Sequence, residues 1–367
     1  MIDNNNIIKQ RKRILSPSLS LSYDEPLHII KGRGQYLYDV EGNEFLDATN
    51  NIQHVGHCHP KVIEATLKQL KKLNTNTRYL DETILDYASL LIKKMPNKLN
   101  KVFFTNSGSE SNDLALRLAR NYLQNNETIV LDGAYHGHLI SLIEVSPYKY
   151  NGPGGIRPPQ NVHALPIPDP FRGKYCGEDS GEKYAEEMKV ILKKIKKPPA
   201  FISESIMGCG GQLIPPEGFI KRAYDLVKAN DGLCIADEVQ IGFGRIGDVF
   251  WGFECQNVVP DIVSLGKSIG NGHPLSVVVT TEEIADRFNN GMEYFNSYGG
   301  NPVSCAIGKA VLEIIEEEEL QKNAREVGIK LFKMLQDLEG KHEQIGDVRG
   351  KGLFLGVEIM EGSDHSK

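Results

Sequence analysis

Several features that define other classes of protein are missing from this chain. Its 367 residues contain no run of about 18 apolar residues, so the sequence predicts no membrane-spanning helix. Its 42 Lys and Arg are outnumbered by 48 Asp and Glu, which gives no reason to expect nucleic acid or an anionic membrane as a partner. Cysteine is scarce and forms no CxxC pair, which predicts reduced thiols in an intracellular protein.

Two nucleotide-binding fingerprints are absent as well. Gly266-Lys267-Ser268 resembles the end of a P-loop, but the glycine that this motif requires earlier is replaced by Asp261. No GxGxxG motif follows a predicted strand. A compact group of histidines at positions 54, 57 and 59 offers zinc-like spacing, but it ends in a proline. We favour a tight turn over a metal site there.

The remaining composition is that of an ordinary globular protein, with 40% hydrophobic and 25% charged residues. The length predicts about two domains. The N-terminus lacks the apolar core of a signal peptide, whereas residues 7–22 carry four basic residues, several serines and no acid. This pattern fits a mitochondrial presequence and a solvated tail equally well. We therefore expect a mitochondrial or cytoplasmic protein.

The apolar pattern predicts an α/β fold. Residues 29–47 alternate like a hairpin, and residues 61–73, 81–94, 282–289 and 304–338 show helical spacing. Short, continuously apolar runs lie near residues 102–104, 129–131, 201–202, 233–236 and 262–263, with helical segments between several of them. This alternation is typical of βαβ units around a mostly parallel, buried sheet. We expect residues 147–177 to be irregular and residues 352–359 to form a strand.

Chemically useful side chains follow the predicted strands, where ligands bind in such sheets. Ser107-Gly108-Ser109 lead into a helix, whose first backbone N–H groups suit a phosphate, although an ordinary helix cap explains the same residues. An aromatic ring, two carboxylates and a lysine follow the other runs, namely Tyr135, Glu204, Asp237 and Lys267. Together these groups suit pyridoxal phosphate, which needs a lysine, a carboxylate beside its ring nitrogen, a phosphate cradle and a flat partner.

Five segments of the chain resemble the class III aminotransferases, which are pyridoxal-phosphate enzymes of fold type I: TNSGSE (105–110), AYHG (134–137), IADEVQIGFGR (235–245), PDIVSLGKSIGNG (260–272) and YGGNP (298–302). The resemblance implies that Lys267 attaches the cofactor and that Asp237 pairs with its ring nitrogen. It further implies that Gly108 and Ser109 hold the phosphate. The other implied cofactor-binding residues are Ser107, Tyr135 stacked on the ring, His136, Glu204, Gln240 near the ring hydroxyl, and Ser297.

Ser297 stands where the family usually has threonine reaching the phosphate of the neighbouring subunit, so the resemblance implies a homodimer or higher homo-oligomer. It also implies a large cofactor domain at 55–300 and a smaller α+β domain from residues 1–54 and 301–367. Because the family continues beyond residue 359, we expect the C-terminal part of the small domain to be incomplete. We expect the chain to be less stable than one extended by a relative's C-terminal segment.

Further segments, including HVGHCHP (54–60), SPYKY (146–150) and GMEYFNSYGGNPVSC (291–305), resemble the phospho-lyase branch of the family. That branch implies elimination of phosphate from a small amino-phosphate, with phosphoethanolamine before 5-phosphohydroxylysine. His138 supports this prediction, because many relatives place there an arginine that can bind a carboxylate. Candidate cations for the substrate phosphate are Lys149, Arg157, Arg172, Lys174 and Arg78. The alternatives are an ω-aminotransferase and a non-catalytic dimerising fragment.

Overall fold

A seven-stranded sheet forms the centre of the protein in a computed structural model, which describes residues 4–177 and 179–361. The order of its strands is β4-β10-β9-β8-β7-β5-β6. Its strands are β4 (Lys101–Thr105), β5 (Thr128–Leu131), β6 (Val162–Leu165), β7 (Ala200–Glu204), β8 (Leu233–Asp237), β9 (Ile262–Leu265) and β10 (Ser276–Thr280). Strands β6, β5, β7, β8 and β9 pair in parallel, whereas β10 is antiparallel to both β9 and β4. The predicted α/β fold with a mostly parallel sheet is confirmed.

Both faces of this sheet are covered. In β8, Cys234 and Ala236 belong to one hydrophobic cluster, whereas Leu233 and Ile235 belong to another on the opposite face. Successive side chains of a strand point to opposite faces, so a strand that is buried on both faces must be apolar throughout. This burial explains why the strands are continuous apolar runs in the sequence.

The helices are α1 (Asn4–Ile14), α2 (Pro60–Lys72), α3 (Glu82–Lys93), α4 (Gly108–Leu123), α5 (Ile140–Ile143), α6 (Pro147–Tyr150), α7 (Ser180–Lys194), α8 (Phe219–Lys228), α9 (Glu282–Phe288), α10 (Pro302–Glu317) and α11 (Leu320–Glu339). Helix α4 packs against β9, β10 and β7, which fixes its N-terminus beside the strand ends. Within the described ranges, no helix is long and apolar enough to cross a membrane.

Two smaller sheets lie outside the central one. The N-terminal sheet contains β1 (Ile29–Arg33), β2 (Tyr36–Asp39) and β3 (Glu44–Leu46), and the C-terminal hairpin contains β11 (Ile345–Lys351) and β12 (Phe354–Ile359). The predicted hairpin at 29–47 is therefore confirmed. The division into domains at residues 54 and 300 stays a prediction. Residues 362–367, where the sequence predicts the unfinished end of the small domain, lie outside the described residues.

Three sequence predictions need correction. The stretch 147–177 is not wholly irregular, because it contains α6 and the edge strand β6. The helix predicted at 304–338 is two helices, since Glu319 adopts a left-handed conformation with φ 51° between α10 and α11. The strand predicted at 352–359 begins at Phe354 and is the second strand of a hairpin whose first strand the pattern did not indicate.

Candidate active site

The sheet brings the predicted carboxylates and lysine to one edge. Glu204 and Asp237 are paired neighbours at the ends of β7 and β8, and Asp237 pairs with Ser264 on β9. Lys267 follows two residues after the end of β9. Because parallel strands all end at the same edge, side chains that are far apart in the sequence meet there.

The N-terminus of α4 forms a cradle at this edge. Ser107 caps the helix, its Oγ accepting from the backbone N–H of Glu110 at 3.2 Å. The backbone N–H groups of Gly108 and Ser109 have no hydrogen-bond partner in the described part of the chain. A Cβ on Gly108 would lie 2.8 Å from Val239 Cγ1, so only glycine fits there. The cradle therefore offers free N–H groups at a helix N-terminus, which is an anion site.

Asp237 is held by three donors. Its Oδ2 accepts from Asn112 Nδ2 at 2.7 Å and from His136 Nδ1 at 2.8 Å, and its Oδ1 accepts from the backbone N–H of Val239 at 3.1 Å. All three side chains are almost fully buried, with 4% exposure for Asp237 and 1% for Asn112. Asn112 also donates to the carbonyl of His136 at 2.8 Å. The carboxylate is therefore fixed in position before any ligand binds.

Glu204 lies beside this carboxylate and beneath Tyr135. Its oxygens accept from the backbone N–H of Tyr135 at 3.3 Å and of Gly208 at 2.9 Å, and Gln240 Nε2 lies 3.4 Å away. Burial, and then the negative charge of Asp237, raises the pKa of Glu204 to about 7. The half-buried Tyr135 ring borders the same space.

Lys267 has an unusual backbone. It adopts a left-handed conformation with φ 43°, which is costly for a residue with a side chain and marks many functional sites. Burial lowers the pKa of its ammonium, with a smaller effect in the same direction from Arg245. Asp237 and Glu204 act in the opposite direction. Lys267 Nζ makes no hydrogen bond to any residue the structure describes, so it is available for chemistry.

Sequence reasoning missed two residues of this site. The first is Asn112, and the second is Arg245, the last residue of the IADEVQIGFGR segment. The Arg245 guanidinium donates to the carbonyl of Asn51 at 2.6 Å and to Ser268 Oγ at 2.7 Å, while its Nε is buried without a partner. No carboxylate pairs with it in the described ranges, and burial lowers its pKa to about 10. A polar residue on the buried face of α4 was the signal for Asn112.

The three histidines of the HVGHCHP segment do not converge. His54 contacts the carbonyl of Phe243 at 2.7 Å, His57 contacts Asp47 at 2.7 Å, and His59 contacts Glu318 at 3.0 Å. Each imidazole thus has its own partner. Among the described residues, no cluster of His, Cys, Asp and Glu has the geometry of a metal site.

Ser297 lies on the loop before α10, next to Asn296, whose Oδ1 accepts from Asn106 Nδ2 at 3.1 Å. It is exposed and makes no hydrogen bond within the described ranges, whereas the remaining predicted residues gather around the strand ends. Of the predicted cations, Arg172 pairs with Glu358 and Lys174 pairs with Glu187 at 2.7 Å. Arg78 pairs with Glu293 at 2.8 Å. Arg157 is exposed.

These groups fit pyridoxal phosphate. The N-terminus of α4, which packs Gly108 against Val239 too closely for a Cβ, supplies free N–H groups for a phosphate, and Asp237 supplies a fixed acceptor for a protonated ring nitrogen. Lys267 supplies an amine with a lowered pKa. Tyr135 supplies a half-buried aromatic ring on the loop whose backbone N–H donates to Glu204.

Comparison with known proteins agrees with this geometry. The family model "Aminotransferase class-III" matches residues 20–367. The chain is 50% identical to "Alanine--glyoxylate aminotransferase 2-like" of Drosophila melanogaster, covering 96% of this chain and 74% of the relative. It is 42% identical to "Ethanolamine-phosphate phospho-lyase homolog 1" of Caenorhabditis elegans, covering 97% and 80%. Among solved structures, a phospholyase from Arthrobacter in complex with phosphoethanolamine has a TM-score of 0.93 and 36% identity, covering 98% of this chain and 86% of that one.

Proposed function

The chain belongs to the class III aminotransferase family, whose cofactor is pyridoxal phosphate, and we propose that it eliminates phosphate from a small amino-phosphate. Phosphoethanolamine is the preferred substrate, with 5-phosphohydroxylysine second. Phosphoethanolamine and water give acetaldehyde, ammonia and inorganic phosphate, so no keto acid is consumed. The similarity to a phospholyase bound to phosphoethanolamine supports this reaction, whereas the similarity to an aminotransferase makes transamination its rival.

The observation that carries the proposal is His138, the residue after the Tyr-His-Gly motif. Its backbone N–H donates to Ser109 Oγ at 2.9 Å, so the position is tied to the cradle, and its side chain is exposed. An arginine there would offer a bidentate donor to the α-carboxylate of an amino acid. Phosphoethanolamine has no α-carboxylate and needs no such donor.

Lys267 is the catalytic residue in this proposal. When bound, the cofactor supplies an electron-withdrawing ring that stabilises negative charge on the substrate carbon next to nitrogen. Lys267 Nζ removes the proton from that carbon, which requires the neutral amine. Burial provides this form more readily by lowering the pKa of Lys267. Departure of phosphate from the adjacent carbon takes up the electron pair.

The other site residues bind and orient. Gly108 and Ser109 would hold the cofactor phosphate through their N–H groups, with Ser107 capping the helix that presents them. Asp237 would keep the ring nitrogen protonated, and Tyr135 would stack on the ring. His136 orients Asp237, and Glu204 orients the Tyr135 loop. Gln240, whose Nε2 lies 3.4 Å from Glu204, would approach the ring hydroxyl of the bound cofactor.

We further propose a homodimer in which Ser297 completes the neighbouring subunit's phosphate site. Ser297 is exposed and lies beside Tyr298, which is 73% exposed, and both Tyr79 and Leu80 also present large apolar surfaces to solvent. Mixing Lys267→Ala with Ser297→Ala subunits tests this arrangement. If Ser297 acts across the interface, mixed dimers contain one intact site and regain activity. Absence of any regain would contradict it.

Incubation of the holoenzyme with phosphoethanolamine tests the reaction. Phosphate and acetaldehyde should appear together without any keto acid, and Lys267→Ala should release neither. If amine is consumed only when pyruvate or glyoxylate is added, the protein is an aminotransferase and the lyase proposal is wrong.

A further inference from the structure

Helix α6, which contains Lys149, is hydrogen-bonded to the loop that carries Tyr135. The backbone N–H of Tyr148 donates to the carbonyl of Ala134 at 3.1 Å, and the hydroxyl of Ser146 accepts from the backbone N–H of His136 at 2.9 Å. These two bonds flank Tyr135 on the loop between β5 and α5. The residues on either side of Tyr135, which is predicted to stack on the cofactor ring, therefore also fix the position of α6.

The ammonium of Lys149 contacts two aromatic rings of this unit. Its Nζ is 5.5 Å from the ring centroid of Tyr135 and 5.4 Å from that of Tyr148. The two rings meet edge to face, with centroids 6.0 Å apart. Cation–π attraction of this kind holds an ammonium in place without neutralising its charge.

Lys149 keeps its charge free of any carboxylate. Across residues 4–177 and 179–361 it forms no ion pair, whereas Arg172, Lys174 and Arg78 are each paired with a glutamate. Burial and the charge of Glu204 raise the pKa of the exposed Cys209, whereas Lys149 has a small effect in the opposite direction, so its ammonium lies within electrostatic range of that thiol. Cys209 Sγ lies 4.0 Å from Gln240 Nε2, beside Glu204.

We propose that Lys149 binds the phosphate group of the substrate at the mouth of the site. This inference rests on the proposed function, since it assigns the phosphate-recognising residue of that reaction. An unpaired ammonium is a point-charge donor suited to a dianionic phosphate. The whole chain has a net charge of −6, so a cation that no acid neutralises is a local site of attraction for an anion. Lys149 acts on substrate binding and takes no part in proton transfer at carbon.

Lys149→Met tests the proposal, with Lys149→Arg as the charge-preserving variant and Lys174→Met as the matched control from the same segment. We expect Lys149→Met to raise the KM for phosphoethanolamine and the inhibition constant of inorganic phosphate by about 10- to 100-fold, the range of a charged hydrogen bond. We expect kcat to change less than KM. Lys149→Arg should retain most of the affinity, and Lys174→Met should match the unsubstituted enzyme.

Thermal unfolding of the holoenzyme with added inorganic phosphate separates this inference from the reaction. If the unsubstituted holoenzyme shows no lyase activity yet is stabilised by phosphate, and Lys149→Met is not, the reaction proposal fails and Lys149 stands. If phosphate release is normal and Lys149→Met leaves KM and phosphate inhibition unchanged, Lys149 is overturned and the reaction stands. If inorganic phosphate does not raise the unfolding temperature of the holoenzyme, and Lys149→Met leaves the KM unchanged, the assignment of Lys149 as the phosphate-binding residue is overturned.

Discussion

Replacement of Asn112 should disturb the site more than its place inside a helix suggests. Asn112→Ala removes the amide that donates to Asp237 Oδ2 at 2.7 Å and to the carbonyl of His136 at 2.8 Å. The carbonyl of His136 is buried and is left without a donor among the described residues, which costs about 1–3 kcal/mol. Asp237 Oδ2 keeps His136 Nδ1 and loses one charged hydrogen bond, which contributes about 1.5–3 kcal/mol. Part of this cost is offset, because Asn112 Oδ1 has no partner in the described chain and disappears with the side chain. We expect a net loss of about 2–4 kcal/mol in the free energy of unfolding.

Urea unfolding of the enzyme with and without cofactor measures this loss. Because the lost bonds orient Asp237, the affinity for pyridoxal phosphate should fall as well. Asn112→Asp provides the sharper comparison, since it places a second carboxyl oxygen against Asp237 Oδ2. One of two close carboxylates resists ionisation, so this variant should approach the unsubstituted protein at pH 5 and lose stability as the pH rises to 8. Asn112→Ala with under about 0.5 kcal/mol of destabilisation and unchanged cofactor affinity would refute the reasoning.

Lys267→Ala and Lys267→Arg should both lose the visible absorbance of covalently attached cofactor and nearly all turnover, because alanine has no amine and arginine does not deprotonate. A spectrum identical to that of the unsubstituted enzyme would contradict the assignment. Glu204 has a pKa raised from 4.5 to about 7 by burial and by Asp237, so its contribution to apoenzyme stability is present below pH 4.5 and is lost as the pH rises through 7. Glu204→Gln should therefore gain stability relative to the unsubstituted apoenzyme across that window, and a difference independent of pH would show that Glu204 does not titrate there. Gly108→Ala should lower the free energy of unfolding by about 1–3 kcal/mol and weaken cofactor binding, since its Cβ would lie 2.8 Å from Val239 Cγ1. If Val239→Ala does not relieve that defect, the steric cause is wrong.

The sequence predicted the parts of the site that depend on chain order alone. Each of the runs that became β7, β8 and β9 is short and continuously apolar, and the residues after them had to lie at a common edge once the strands were parallel. Glu204, Asp237 and Lys267 therefore meet as expected. Strand β10, which separates β9 from β4, has the same apolar signal in Val277-Val278-Val279 but is not among the predicted strands. Periodicity alone could not have told that it runs antiparallel.

Asn112 shows where such prediction ends. Residues 112, 116 and 119 share one buried face of α4, and the last two are Leu116 and Ala119, so the helical pattern marks residue 112 as a position that faces the sheet. A polar side chain there must find a buried partner, and sequence can state that requirement without naming the partner. Asp237 is 125 residues away, and only the packing of α4 across β8 and β9 brings the two within 2.7 Å.

The same reasoning applies to Lys149. Its segment is rich in basic residues, and which cations remain unpaired depends on Glu358 and Glu187, two acids that the fold places opposite Arg172 and Lys174 and not opposite Lys149. Charge patterning can predict a basic region, but which of its cations stay without an acidic partner is a property of tertiary structure.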